Sequence, residues 1–205
     1  MVQSLAKSKP VTLEEFVQWK PEGKLYELHD KVIIEMPQLL GDHEDITSFL
    51  AEKIMVEYLR LGLPYRIAKT VLIKPPARES AYSPDVLILN RSNLVNEPLW
   101  KKASTVTQSA SISLVVEVVS TNWQVDYLTK VKDYEEIGIA EYWIVDYLGL
   151  GGRRFIGSPK QPTILIHELI DREYKITLFR GDDRIVSSTF PELILTANQV
   201  FQAEA

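Results

Sequence analysis

Apolar positions fall into short blocks whose spacing alternates between helical and extended periods. Thr12-Leu13-Glu14-Glu15 has the form of a capping box and opens a short helix carrying Phe16, Val17 and Trp19, which Pro21 and Gly23 end. Leu25 to Leu28 and Val32 to Met36 read as a hairpin turning at His29-Asp30. Asp42 is placed to cap a longer helix from His43 to about Leu61, with Ile46, Phe49, Leu50, Ile54 and Leu61 near one face. Gly62 and Pro64 stop that helix.

Three extended stretches follow, at Arg66 to Lys74, Asp85 to Asn90 and Ser113 to Ser120. The last contains Leu114-Val115-Val116-Glu117-Val118-Val119, a nearly continuous apolar run that reads as a central strand buried on both faces. A helix from about Trp123 to Ile137 comes next, capped by Thr121 or Asn122 and closed by Gly138. Glu141 to Asp146 forms another strand, and a helix between two strands predicts a crossover onto a parallel neighbour. Two further strands, Thr163 to Leu169 and Glu173 to Arg180, make a hairpin, and Phe190-Pro191-Glu192-Leu193 begins a closing segment. The pattern predicts an α/β (α+β) fold with a mixed central sheet.

Composition narrows the function. The chain has 205 residues, 45% hydrophobic and 25% charged, which suits one globular domain over 1–205 without structural staples. Cysteine is absent, which excludes thiol catalysis, thiolate zinc sites and disulfides. Met1 to Lys9 has lysines but no following apolar stretch, so no signal peptide is expected, and the apolar runs are too short to span a bilayer. A cytoplasmic protein without membrane contact is expected. The net charge of −5 argues against a simple nucleic-acid binder, whose affinity comes largely from phosphate contacts. It weighs less against a metal-dependent nuclease, whose metal requires clustered carboxylates.

Glu117 is the most informative residue. A carboxylate within an apolar run is costly to bury unless it is paired or bound to a cation. Asp85 opens another strand directly after Pro84, whose ring restricts the local backbone. If the two strands are neighbours, Asp85 and Glu117 share a pocket, where they repel unless a cation such as Mg²⁺ lies between them. Asp126, Lys130 and Tyr134 follow at i, i+4 and i+8, so they form one helical stripe over the end of the Glu117 strand. Lys130 is placed to reach Glu117 or a bound phosphate; Lys132 competes from another side of the helix. Each residue also has a plain structural explanation: an ion pair for Glu117, a turn for Asp85, a surface pair for Lys130.

Taken together, these segments resemble a known family. Ser83-Pro84-Asp85-Val86, the run Val115 to Ser120, then Asp126, Lys130, Tyr134, Gly138 and Glu141 to Asp146 look like a restriction-endonuclease-like family abundant in some photosynthetic bacteria. That family is part of the PD-(D/E)XK nuclease superfamily. The hairpin Tyr26-Glu27-Leu28 with Ile34-Glu35-Met36-Pro37, His43 and Phe190-Pro191 match as well, so the resemblance covers about 13–201. It implies a restriction-endonuclease-like core with added N- and C-terminal hairpins, and hydrolysis of DNA phosphodiesters with Mg²⁺, or Mn²⁺, as cofactor. By the same resemblance, Asp85, Glu117 and the Val118 carbonyl are metal ligands, and Lys130 is the catalytic lysine. Asp126 and Tyr134 are supporting groups, and Glu27 or His43 borders the pocket. Val119 stands where the superfamily usually has its lysine, so the resemblance implies that this role has moved to the following helix.

Several other features carry less. Glu27 and Glu35 read as exposed strand positions, and His29 and His167 have no ligand spacing. Gly149 to Arg154 superficially suggests a phosphate loop but lacks the Gly-Lys-Ser/Thr ending and a following helix, so it reads as a turn. Asn90 to Ser111 reads as a surface excursion beside the site. No Gly-x-Ser-x-Gly elbow is present, which argues against a serine hydrolase. The leading expectation is a metal-dependent DNA endonuclease, with a homodimer suited to cutting both strands. The alternatives are a nuclease-fold binding module without turnover, and a purely structural ion pair fixing helix-to-sheet register.

Overall fold

The structure, a computed structural model, describes residues 9–21, 23–38 and 40–203; most of the lysine-bearing Met1–Lys9 stretch therefore lies outside the described residues. Helix α1 (Leu13–Trp19) begins with the expected reciprocal cap. Thr12 Oγ1 accepts from the Glu15 amide at 3.2 Å, and the Glu15 carboxylate accepts from the Thr12 amide at 2.8 Å. Strands β1 (Tyr26–His29) and β2 (Val32–Glu35) form the predicted hairpin, with His29 opposite Val32. The turn is therefore Asp30-Lys31, one residue later than the sequence suggested. Both residues take positive φ (45° and 71°), as a two-residue turn must to match the twist of its strands.

Helix α2 spans Gly41–Arg60, and its N-cap is Leu40, with no side-chain cap. Asp42 lies instead inside the first turn, where with Glu44 it faces the positive end of the helix dipole. The extended stretch predicted from Arg66 to Lys74 splits into β3 (Tyr65–Ala68) and β4 (Leu72–Ile73), which belong to different sheets. Strand β5 (Val86–Asn90) follows, then the short α3 (Trp100–Ala103) and β6 (Thr105–Val106), which pairs in parallel with β4. The Asn90–Ser111 excursion thus leaves from the far end of β5 and not from the Asp85 end, so it does not border the site.

Strand β7 (Ile112–Val118) runs antiparallel to β5 and parallel to β8 (Glu141–Asp146), as the crossover predicted. Between them lies one continuous helix, π-helical over Val125–Lys130 and then α4 (Val131–Ile137), ended by Gly138 at φ +85°. Its first turn is closed by the backbone, Val125 N donating to Asn122 O, with no side-chain cap. A one-turn helix α5 (Arg153–Ile156) follows the glycines, so the Gly149 turn does lead into a short helix. Strands β9 (Thr163–Ile170) and β10 (Glu173–Phe179) form a hairpin, and α6 (Ala197–Phe201) follows as the last helix among the described residues.

The central sheet has the order β10-β9-β8-β7-β5-β3 and is mixed, with helices flanking it. The C-terminal hairpin is therefore an extension of that sheet rather than an appendage, whereas β1-β2 is a separate small sheet. Side chains of β7 alternate between two apolar clusters. Leu114, Val116 and Val118 meet Ile46, Leu50 and Ile54 of α2, while Val115 and Val119 meet Tyr127, Tyr134 and Tyr142. Burial on both faces is why the strand reads as almost uninterrupted valine and leucine. Glu117 points to the second side, towards the crossover helix.

Candidate active site

The site is built where β5 begins and β7 ends. Val86 pairs with Val116, which sets Asp85 beside the last turn of β7, and Asp85 Oδ2 accepts from the Val118 amide at 2.7 Å. That bond fixes the carboxylate against the strand that carries Glu117. Tyr134 Oη donates to Glu117 Oε1 at 3.0 Å, and Lys130 Nζ lies 2.9 Å from the same oxygen. Lys130 also reaches Asp126 Oδ1 at 3.2 Å and Glu27 Oε1 at 3.6 Å. Lys132 is exposed, and it is Lys130 that reaches the carboxylates. Val119, on the same strand face as Glu117, is wholly buried among apolar side chains, so the strand supplies no cation there.

The π-helical segment matters to this geometry. Its wider turn breaks the regular α-helical phase just where the helix brings Asp126 and Lys130 to Glu117. Asp126 and Lys130 still face one side, and both are buried.

The N-terminal hairpin and α2 close the opposite wall. Tyr26 and Leu28 point into an apolar cluster with Phe16 of α1, so the alternation of β1 turns Glu27 and His29 the other way. Glu27 is 1% exposed, not the solvated strand position expected from sequence. Its carboxylate accepts from Ser83 N at 2.9 Å and meets His29 Nε2 at 2.7 Å. His29 thus joins the site wall as well, although its spacing predicted nothing. Glu35, by contrast, stays near the surface, paired with Lys24. His43, in the first turn of α2, is buried; its Nε2 donates to the Val118 carbonyl at 2.9 Å and lies 3.5 Å from Asp85 Oδ2.

These groups surround a cavity of about 80 Å³, whose other wall is apolar, from Leu25, Ile34, Met36 and Pro37. Among the described residues that line it, four carboxylates (Glu27, Asp85, Glu117 and Asp126) face a single lysine. Burial pushes the Glu117 carboxyl well above its usual range, with Lys130 opposing and the other carboxylates adding to the shift. Burial likewise lifts Asp126 to about 6. Burial disfavours the Lys130 charge, but Glu117, Glu27 and Asp126 outweigh it and hold the ammonium protonated. Glu27 moves down, since Lys130 and His29 overcome the cost of burying it. His43 is raised: burial acts against it, and Asp85 and the Val118 carbonyl more than compensate.

The excess of buried negative charge suits a divalent cation, and the donors are hard oxygens of the kind Mg²⁺ takes. Among the described residues no three histidine, cysteine, aspartate or glutamate side chains form a cage that would hold a metal ion alone. Mg²⁺ does not need one; it is commonly held by one or two carboxylates with water and phosphate oxygens completing its shell. Asp85 and Glu117 on the cavity wall, with the second lone pair of the Val118 carbonyl, fit that demand.

The glycine-rich turn after β8 has a different use. Asp146 accepts from Leu150 N at 2.8 Å, Gly151 N at 2.7 Å and Tyr127 Oη at 2.9 Å. The Leu150 and Gly151 amides are thereby taken by a carboxylate and are not free for a phosphate.

Comparison with known proteins agrees with this architecture. The family described as "Uma2: Putative restriction endonuclease" matches residues 13–198. A crystal structure from Anabaena variabilis, titled as a putative nuclease belonging to DUF820, superposes with a TM-score of 0.73. The two are 18% identical, and the alignment covers 96% of this chain and 100% of that one, so they share a fold. No curated protein matches the chain. No helix among the described residues is long and apolar enough to cross a membrane.

Proposed function

The chain belongs to the Uma2 restriction-endonuclease family, and from that premise we propose that it is a Mg²⁺- or Mn²⁺-dependent endonuclease hydrolysing phosphodiester bonds of DNA. The observation that carries this reading is the Lys130 ammonium, buried within 2.9 Å of Glu117 in the cavity that Asp85 also lines. A bound divalent ion would lower the pKa of a coordinated water and offset charge on the phosphate. Asp85, Glu117 and the Val118 carbonyl are the groups that would hold it. Lys130 would orient the attacking water and counter the negative charge developing on the phosphoryl oxygens. Tyr134 and Asp126 keep Glu117 and Lys130 in place, and Glu27 shares the lysine from the hairpin side. His43 holds Val118 and Asp85 in register. A homodimer would present two such sites to the two strands of a duplex.

Incubation with Mg²⁺ or Mn²⁺ and a pooled DNA and RNA substrate tests the proposal. Metal-dependent internal cleavage of DNA, abolished by Asp85→Asn, is the expected result. A wild-type protein that binds neither metal and cuts nothing would overturn it, leaving a binding module on a nuclease scaffold.

A further inference from the structure

The segment from Tyr147 to His167 contains Arg153, Arg154 and Lys160 and no aspartate or glutamate, in a chain whose net charge is −5. All three cationic side chains are exposed, and no ion pair among the described residues uses any of them. They sit on a firm mount. Asp146 ties down the glycine turn, and Lys160 Nζ donates to the Leu150 carbonyl at 2.9 Å. The Arg154 guanidinium lies 4.4 Å above the Phe155 ring, and Phe155 stands 6.2 Å from Trp123 in an edge-on arrangement. Gly152 packs so closely on Trp123 that an added Cβ would lie 3.0 Å from the indole.

The placement is directional. Val118 pairs with Val145, so the segment leaves β8 at the sheet edge where β7 ends at the cavity. Trp123 begins the helix whose next turn brings Val125 and Asp126 to the cavity wall. We infer that Arg153, Arg154 and Lys160, with the half-buried Trp123, form a docking ridge for the phosphodiester backbone of a nucleic-acid strand whose scissile bond lies in the cavity. This rests on the nuclease reading and adds the substrate contact that the reading lacks. An acidic cavity repels a polyanion, so the strand needs cations beside it; exposed guanidinium groups match phosphate, and the Arg154 guanidinium over the Phe155 ring with Trp123 beside it can also meet a base. The ligand is recognised by its repeated phosphates, so the same surface serves DNA or RNA.

The test is binding of fluorescein-labelled single-stranded DNA, duplex DNA and RNA by the full chain in EDTA, where cleavage cannot intervene. Replacing all three cations (Arg153→Gln, Arg154→Gln, Lys160→Gln) should weaken binding about tenfold or more and flatten the dependence of log Kd on log salt by about two on a single strand and nearly three on a duplex, for three lost contacts. The control Lys101→Gln/Lys102→Gln, an exposed lysine pair on α3, should leave both unchanged. Equal affinity and slope in the triple variant would overturn the inference, as would an equal loss in the control or no binding by the wild type. The metal-dependent cleavage assay separates the two ideas. If Asp85→Asn stops cleavage while the triple variant binds normally, only the ridge fails; if the wild type never cleaves yet the triple variant loses binding, only the nuclease reading fails.

Discussion

Lys130 and Glu117 meet at 2.9 Å, an ammonium from the crossover helix against a carboxylate from the middle of the sheet, each 3% exposed. Neither charge is tolerable there alone, and the pair is shared with Glu27 and Asp126. Removing one partner therefore reaches further than removing one ion pair.

Lys130→Met should destabilise the fold by about 3–5 kcal/mol, because it leaves Glu117 and Asp126 buried without a cation and Glu27 with His29 alone. Adding Glu117→Gln should restore part of that loss, and urea denaturation of the single and double variants measures both. A single variant as stable as wild type would show that the cluster has another source of neutralisation. Cleavage should be lost in the double variant whatever its stability.

Asp85 can be probed more gently. Asparagine keeps an oxygen for the Val118 amide but loses the charge, so Asp85→Asn should fold with stability within about 1 kcal/mol of wild type. Cleavage should nevertheless fall by about a hundredfold or more, and isothermal titration should show weakened Mn²⁺ binding. Unchanged cleavage would remove Asp85 from the mechanism.

His167 gives a pH dependence from a group that does not line the cavity. It is buried beside the Tyr142 and Tyr174 rings, its Nδ1 has no hydrogen-bond partner, and burial lowers its pKa to about 4. The folded state thus resists protonation that the unfolded chain accepts near pH 6.5. Its contribution is present above pH 6.5 and is lost as pH falls to about 4, up to about 3 kcal/mol. His167→Phe, which preserves the ring packing, should flatten the stability profile in that window, as thermal unfolding at stepped pH would show.

Glu141 anchors the C-terminal segment. Its buried carboxylate accepts from Trp143 Nε1, the Ser187 and Ser188 hydroxyls and the Thr189 amide, at 2.6–3.1 Å. A glutamine presents an amide donor in place of one of the two carboxylate oxygens that accept those bonds. Glu141→Gln should therefore cost about 1–3 kcal/mol and speed hydrogen exchange near Thr189. Since Glu141 is not among the cavity residues, cleavage at low temperature should be unchanged.

Much of the molecule was legible in the order of its residues. The apolar run around Glu117 announced a strand buried on both faces with a carboxylate needing a partner. The helix between two strands announced their parallel pairing, and capping chemistry marked α1. What remained hidden depended on neighbours distant in the chain. Glu27 belongs to a four-residue strand too short to show a period, and only the docking of Tyr26 and Leu28 onto α1 turns it inward. The turn falls at Asp30-Lys31, one residue beyond where the sequence pattern points, because its requirement is for positive φ, which those side chains do not advertise as glycine would. That the excursion after Asn90 leaves from the end of β5 opposite Asp85 is not legible in sequence, because the direction of β5 is known only from its pairing.

The cluster followed the same division. Sequence by itself determined that Glu117 is a charged group where charge is costly, since burial chemistry is local to a strand and its periodicity; for Asp85 it gave only a placement behind Pro84, and for Lys130 only a helical stripe with Asp126 and Tyr134. The tertiary structure alone decided that four carboxylates and one ammonium converge, because that depends on strand register, on the π-helical phase before Val131, and on a hairpin folded over the end of β7.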